Sequence, residues 1–365
     1  MNLLYVPILA AKQGEFSALS NLQNTTSDRI VPVFEVPNPG PEKPLEVPMS
    51  KTAVKAGKVW SGREAFLDIS KWKPNARTES GIHVLEFAFS QFRSQGVAVH
   101  PVVGYDRWDD LDYIQALKNI RASYAVKACL RLDREAIEDA HDLPYFSERI
   151  EQIMSELDVT AKNLYVLIDL GDVSKSSVAD VLADADTVID AVRSLGFTTV
   201  ILAGCSIPAA INTAVENPDT AGCIPRIEMM VWKAIFEDRK DRGILFGDYS
   251  IRNSDAADGV IAPHANAKIR YTISNQFFIV RGHSKQLTRL AIQNKELARL
   301  LVASHHYMGA TFSWGDSQIL QCSVGTKEMG SPTTWIGIDS NHHFHAVVTE
   351  VFEFQRQVIP ALVSA

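Results

Sequence analysis

Residues Leu164–Ala203 read LYVLIDLGDVSKSSVADVLADADTVIDAVRSLGFTTVILA. Leu164–Leu170 and Thr199–Ala203 are near-continuous apolar runs, and Ser177–Gly196 between them has helical period. A strand that is apolar on successive residues is covered on both faces, as in a parallel sheet flanked by helices. Gly196 stands just ahead of the second run, where a helix C-cap leads into the next strand. The segment is therefore a strand–helix–strand unit. The same alternation recurs outward from it, with further runs at Leu4–Leu9, Ile30–Val36, Ala65–Ile69, Val97–Val103, Tyr124–Leu132 and Leu245–Tyr249. Helical segments are expected at Gly14–Leu22, Ser80–Gln95, Leu111–Arg121, Pro144–Asp158 and Arg226–Asp238. Eight such repeats within about 250 residues predict an α/β fold, a (β/α)8 barrel of the triosephosphate-isomerase type over residues 1–262. An open doubly wound sheet is the alternative.

Two stretches depart from the pattern. Pro37–Pro48 (PNPGPEKPLEVP) has too many prolines for a helix and reads as an irregular crossover. After residue 262 the alternation gives way to a hairpin around Ser274–Gln276, a helical stretch over Lys285–Ser304 and a last apolar segment from Phe344 to Val358. Residues 263–365 are expected to form an appended C-terminal α+β lobe or cap.

The 365 residues are 46% hydrophobic and 22% charged, with 36 Lys+Arg against 43 Asp+Glu. A net charge of −7 without a basic run makes direct nucleic-acid binding unlikely, because phosphate contacts are made by clustered cations. The apolar stretch before Lys12 is too short to cross a bilayer and lacks a signal-peptide layout, so no membrane association is expected and a cytoplasmic location is. Cys129, Cys205, Cys223 and Cys322 are widely spaced and read as reduced structural thiols. Dinucleotide, P-loop, nucleophile-elbow and kinase signatures are absent.

In a barrel of this type, functional groups gather where the strands end at their C-terminal sides. Those ends carry Lys12, Glu35, Asp68, Arg131, Asp169, Asp248 and Tyr249, the candidate catalytic residues. A ring of acids with Lys12 and Arg131 as counter-charges can bind a divalent cation or supply a general acid and base. It can equally hold a small anionic ligand, or lock the barrel mouth through buried ion pairs without any chemistry. Gly247 allows close backbone approach ahead of Asp248 and Tyr249, both expected near the mouth. Arg270 and Arg281 on the hairpin are candidate ligand-binding residues that would extend a basic wall over the mouth, or form exposed cross-strand pairs. His342, His343 and His345 alternate as on an extended chain, but no partner pair at metal-ligand spacing accompanies them, so no metal site is assigned and no cofactor is identified.

The segments YVPILAAKQGEFSAL (Tyr5–Leu19), IVPVFEVP (Ile30–Pro37), FGDYSIR (Phe246–Arg252), RYT (Arg270–Thr272) and RG (Arg281–Gly282) carry a family resemblance. With them the chain resembles the beta-protein family of phages and phage satellites, which is also encoded in bacterial genomes. These motifs carry no established chemistry, so Lys12, Glu35 and Asp248 match the family pattern without inheriting a catalytic role. The resemblance implies a component of an anti-phage or toxin-neutralising locus with a cytosolic protein partner encoded beside it. Two functions follow: a binding or regulatory barrel that senses a ligand or restrains that partner, and a metal-assisted phosphodiesterase, hydrolase or nucleotide-processing enzyme working at the barrel mouth.

Overall fold

Each apolar run becomes a strand where burial on both faces requires one. In the computed structural model, which describes residues 3–40, 44–256 and 264–359, seven parallel strands pair in sequence order. They are β1 (Tyr5–Ala10), β2 (Val33–Glu35), β3 (Glu64–Asp68), β4 (Ala98–Gly104), β5 (Ala128–Leu132), β6 (Leu164–Asp172) and β7 (Thr199–Cys205). The chain then makes an excursion through β8 (Thr220–Pro225) before β9 (Ile244–Asp248) takes the eighth place, parallel to both β7 and β1, and closes the barrel. The fold is the expected (β/α)8 barrel. Side chains alternate across the wall. Val6, Ile8, Val33, Phe66, Val102, Cys129, Leu167, Ile201 and Leu245 fill the interior. Tyr5, Leu9, Phe34, Leu67, Leu130, Ile168, Leu202 and Phe246 face the surrounding helices.

The proline-rich crossover is only partly irregular: a helix begins at Glu46 and runs to Trp60. Pro48 falls in its first turn, where a backbone N–H has no intrahelical acceptor, so the missing donor costs the helix nothing.

Beyond the barrel, β10 (Asn266–Ile273) and β11 (Gln276–Ser284) form the expected hairpin, turning at Ser274 and Asn275. β8 adds antiparallel to β11, so this second sheet takes a strand from the β7–β9 excursion. The expected junction at 262/263 lies outside the described residues. Helices Leu290–Ala303 and Trp314–Val324 cover the hairpin, and one 27-residue helix, Pro332–Val358, ends the described chain. That helix carries Phe344, Val347, Val348 and Val351 into the same core that lies between barrel and helices. It crosses the helix Gln13–Ser20 at small residues: a Cβ on Gly14 would stand 2.6 Å from Ile336 Cγ2, and one on Gly337 would stand 3.1 Å from the Gly14 carbonyl oxygen. His342, His343 and His345 therefore sit on a helix, and the expected extended alternation does not hold. No described helix is long and apolar enough to cross a membrane.

Candidate functional site

Five of the candidate residues converge at the C-terminal end of the barrel, and Arg131 on β5 organises them. Its Nη1 donates to Glu35 Oε1 at 3.0 Å and to Asp68 Oδ2 at 2.5 Å. Its Nε and Nη2 donate to Asp169 Oδ2 at 3.0 and 2.7 Å, and Nη2 lies 2.8 Å from the Tyr249 hydroxyl. Tyr249 donates in turn to Asp169 Oδ2 at 2.6 Å, and Ser70 donates to Glu35 Oε1 at 2.7 Å. A second guanidinium completes the set: Arg107, in the turn after β4, donates to Asp68 Oδ1 at 2.7 Å. All of these side chains except Ser70 are buried, Asp68 completely.

The electrostatics follow from that placement. Burial alone pushes the Asp68 carboxyl up, but the guanidinium groups of Arg107 and Arg131 more than offset it and hold its pKa below the ordinary value. Burial likewise opposes the charge on Arg131, yet Tyr249, Asp169, Asp68 and Glu35 around it raise its pKa above the usual value. Burial keeps Tyr249 a phenol far above its ordinary pKa. The loop after β9 lies over the assembly, with Lys71 Nζ donating to the Ser254 carbonyl at 2.8 Å and Asn253 donating to Asp172 and the Ile207 carbonyl, both at 2.8 Å. Only about 20 Å³ of free volume remains between Glu35, Tyr249 and that loop. Among the described residues no group of three or more His, Cys, Asp or Glu side chains is arranged to hold a metal ion.

Asp248 is not part of this assembly. It is the last residue of β9, just ahead of Tyr249, and so faces the other side of the wall, outward, under the C-terminal helix. There its carboxylate accepts from the Tyr5 hydroxyl, from the Ser250 N–H at 2.8 Å and from His343 Nε2 at 2.9 Å. Burial pushes the Asp248 carboxyl up, and His343, Arg226 and Tyr5 bring it below its ordinary pKa. Burial lowers the His343 pKa. A neutral His343 that donates from Nε2 to Asp248 accepts at Nδ1 from Thr272 Oγ1, 2.7 Å away. The chain Asp248–His343–Thr272 thus joins barrel wall, last helix and β10. Arg226 beside it is fully buried and donates to Glu350 Oε2 at 2.6 Å. Glu228, bonded by Ser206, has its carboxyl pushed up to about 7 by burial.

A family model described as Beta protein matches residues 5–349. The chain belongs to the Beta protein family. No curated protein matches the chain.

Two of the remaining candidates of this Beta protein family member, Lys12 and Arg270, line a separate cleft of about 570 Å³ between the mouth loops and the lobe. Lys12 is half-buried on its wall, with Arg252, Lys268 and Arg270. Arg270 is buried and clamps the lobe: Nε and Nη2 each lie 3.0 Å from Asp339 Oδ2, and Nη1 donates to the Ile251 carbonyl at 3.1 Å. Arg281 is elsewhere, donating to the Val215 carbonyl at 2.9 Å and to that of Glu216, so it braces the β7–β8 excursion and not the mouth. Gly247 sits where a Cβ would be 3.0 Å from both Ala203 and Ile201, which makes it a packing requirement of the barrel. Cys129 and Cys205 are buried, and burial raises both thiol pKa values.

Sequence reasoning missed Arg107, which folds back over its own strand end. A Cβ on Gly104 would overlap its guanidinium, so the glycine three residues ahead was the available signal. It also missed Lys268, whose signal was its place two residues from Arg270, on the same face of β10.

Proposed function

We propose that this protein is a binding and regulatory barrel, a cytoplasmic component of an anti-phage defence or toxin-neutralising system that senses a small anionic ligand or restrains a partner protein encoded in the same locus. The observation that carries the reading is the state of the mouth: Glu35, Asp68 and Asp169 are each bonded to a guanidinium and roofed by the loop after β9. A general acid or base needs an open approach to a substrate proton, and a metal site needs carboxylates turned toward a common point and not toward an arginine. Here the acids serve a buried ionic staple. The alternative of metal-assisted hydrolysis at the mouth therefore has less support than binding at the cleft beside it. The defence setting and the protein partner rest on the family.

The test is protection from phage, or rescue from the toxic neighbour, in cells carrying the whole locus with Glu35→Gln or Asp169→Asn in the full chain. Both isosteric variants that fold are expected to protect as well as the wild type. Loss of protection by variants of normal soluble yield and melting temperature would turn the assignment toward chemistry at the mouth.

A further inference from the structure

A second set of buried charges lies where the lobe joins the barrel. β8 belongs to the lobe sheet, and the chain passes from it through Arg226 into helix Ile227–Arg239. The Arg226 N–H donates to the Asn275 carbonyl in the turn of the β10–β11 hairpin at 2.8 Å, and Arg226 Nη1 donates to Glu350 on the last helix at 2.6 Å. Lys233, further along the same helix, donates to Glu350 Oε1 and to Asn275 Oδ1, both at 2.7 Å. Helix Ile227–Arg239, the hairpin and the last helix therefore meet on two cations.

Three carboxyl groups face those cations. Glu350 takes both of them. Asp248 stands 3.8 Å from Arg226 Nη2 and is already bonded by Tyr5, Ser250 and His343. Glu228 has least: it is buried, bonded by Ser206 in the loop after β7, and 3.9 Å from Arg226 Nε, too far for a hydrogen bond. Arg226 Nε and Nη2 are buried without a hydrogen-bond partner among the described residues. No other group at the joint supplies a compensating charge. Burial holds the Tyr5 phenol and the Cys205 thiol above their ordinary pKa and His343 below its own, and His342 turns to Asp316 at 2.9 Å.

Two cations against three carboxylates would leave one negative charge in excess. An unbalanced buried charge is costly, so the set is neutral only while one carboxyl keeps a proton. Carboxylates that share a cation separate their affinities for the proton, and the one with the fewest donors holds it longest. That one is Glu228. Burial, with Asp248 adding to it, pushes its pKa up to about 7.

We infer that the lobe is docked through a proton-operated joint: Glu228 keeps a proton while the joint is closed, and releasing that proton to water accompanies the opening of the hairpin and last helix from the barrel. Rising pH therefore favours opening. The joint also reaches the cleft of about 570 Å³ from both sides. Ser206 directly precedes Ile207 and Pro208 on one wall, and the hairpin and last helix carry Lys268, Thr333 and Ile336 on the other. The shape of the cleft is thus linked to pH whatever it binds.

The experiment compares the purified full-length protein with Glu228→Gln and Ser206→Ala from pH 5.5 to 8.5 at constant ionic strength. Infrared difference spectra follow the carbonyl stretch of a protonated carboxyl in the folded protein. Hydrogen exchange, corrected for its intrinsic pH dependence, follows the hairpin and the last helix. The wild type is expected to lose between pH 6 and 8 a carboxyl band that Glu228→Gln lacks at every pH. On opening, His343 titrates in the opposite sense, so protection is read as the ratio to Glu228→Gln, which keeps that histidine. The ratio should fall about tenfold per pH unit from 5.5 toward 7 and level off above it, because only the opened chain ionises Glu228 below its folded midpoint. Ser206→Ala keeps the carboxyl but removes a hydrogen bond that favours its charged form, so its band should be lost at higher pH. A hydroxyl with a purely structural role would leave that midpoint in place. The inference is overturned if no band separates the wild type from Glu228→Gln, if the protection ratio is flat across the range, or if the Ser206→Ala midpoint stays where it was.

Discussion

Replacing Arg131 with Met keeps the side-chain length and removes the guanidinium from five hydrogen bonds. Three carboxylates and a phenol lose their shared donor, and only Asp68 keeps a second cation, Arg107. Removing one partner of a buried ion pair costs about 3–5 kcal/mol, because the charge left behind is neither solvated nor paired. Hydrogen bonds to charged groups are worth about 1.5–3 kcal/mol each but do not add within one network. A loss of about 3–5 kcal/mol at pH 7 is therefore the expected size. Its pH dependence distinguishes an ionic staple from lost packing. In the wild type, Asp68 has a depressed pKa, so its contribution is complete above about pH 4 and is lost as pH falls through the folded value. In Arg131→Met the acids repel one another, and taking up a proton relieves the strain, so the variant gains on acidification over a range where the wild-type Asp68 contribution stays complete. The two stability curves should converge from pH 8 toward pH 4.5 in urea titrations followed by tryptophan fluorescence. A deficit below 1 kcal/mol at pH 7, or one that stays constant across this range, would refute the reasoning. Adding Glu35→Gln and Asp169→Asn to Arg131→Met should restore part of the loss.

Gly14→Ala places a methyl group against Ile336 at the helix crossing and should cost about 1–3 kcal/mol, with Ile336→Ala recovering part of it in a double-mutant cycle measured by denaturation. His345 is buried, and burial lowers its pKa from 6.5 to about 4. Its stabilising contribution is thus full above pH 6.5 and falls by about 1.4 kcal/mol per unit toward pH 4, so the melting temperature of His345→Gln should decline less steeply over that window. Lys268→Met should be more stable than the wild type by about 1–3 kcal/mol below pH 8, since the folded state there carries an ammonium that burial disfavours. That gain should disappear as pH rises from 8 to 10.5, where the unfolded chain alone still holds the proton; a destabilised variant at pH 7 would contradict the burial cost assigned to the Lys268 ammonium.

Much of the barrel was legible because burial on both faces leaves a mark that needs no tertiary knowledge: runs such as Val97–Val103 and Leu164–Leu170 read as strands on their own. Side-chain direction was less legible. Asp248 ends β9 and Tyr249 follows it, but adjacent residues of extended chain point to opposite faces, so only Tyr249 can meet Arg131 while Asp248 meets His343. Strict use of that period would have separated them from the sequence. Composition misled at Pro48, where position in the first turn decides whether a proline breaks a helix. The last helix was hidden by its polar inner face, since Asp339, Asn341, His342 and His343 are buried through partners more than twenty residues away. No local pattern reports such partners.

What separates the two candidate sites is whether their charges are satisfied. At the mouth every carboxylate has a guanidinium, every guanidinium has acceptors, and the phenol closes the set. Such a network needs nothing further, and an incoming substrate would have to break it. At the cleft Arg252 has Glu15 and Arg270 has Asp339, whereas Lys268 has no ion-pair partner among the described residues, although Met or Gln at that position would avoid the desolvation of a charge. Functional residues are often those that lower stability where they sit, because their partner arrives only with the ligand. By that criterion the acids at the mouth belong to the staple, and Lys268 is the residue to vary first.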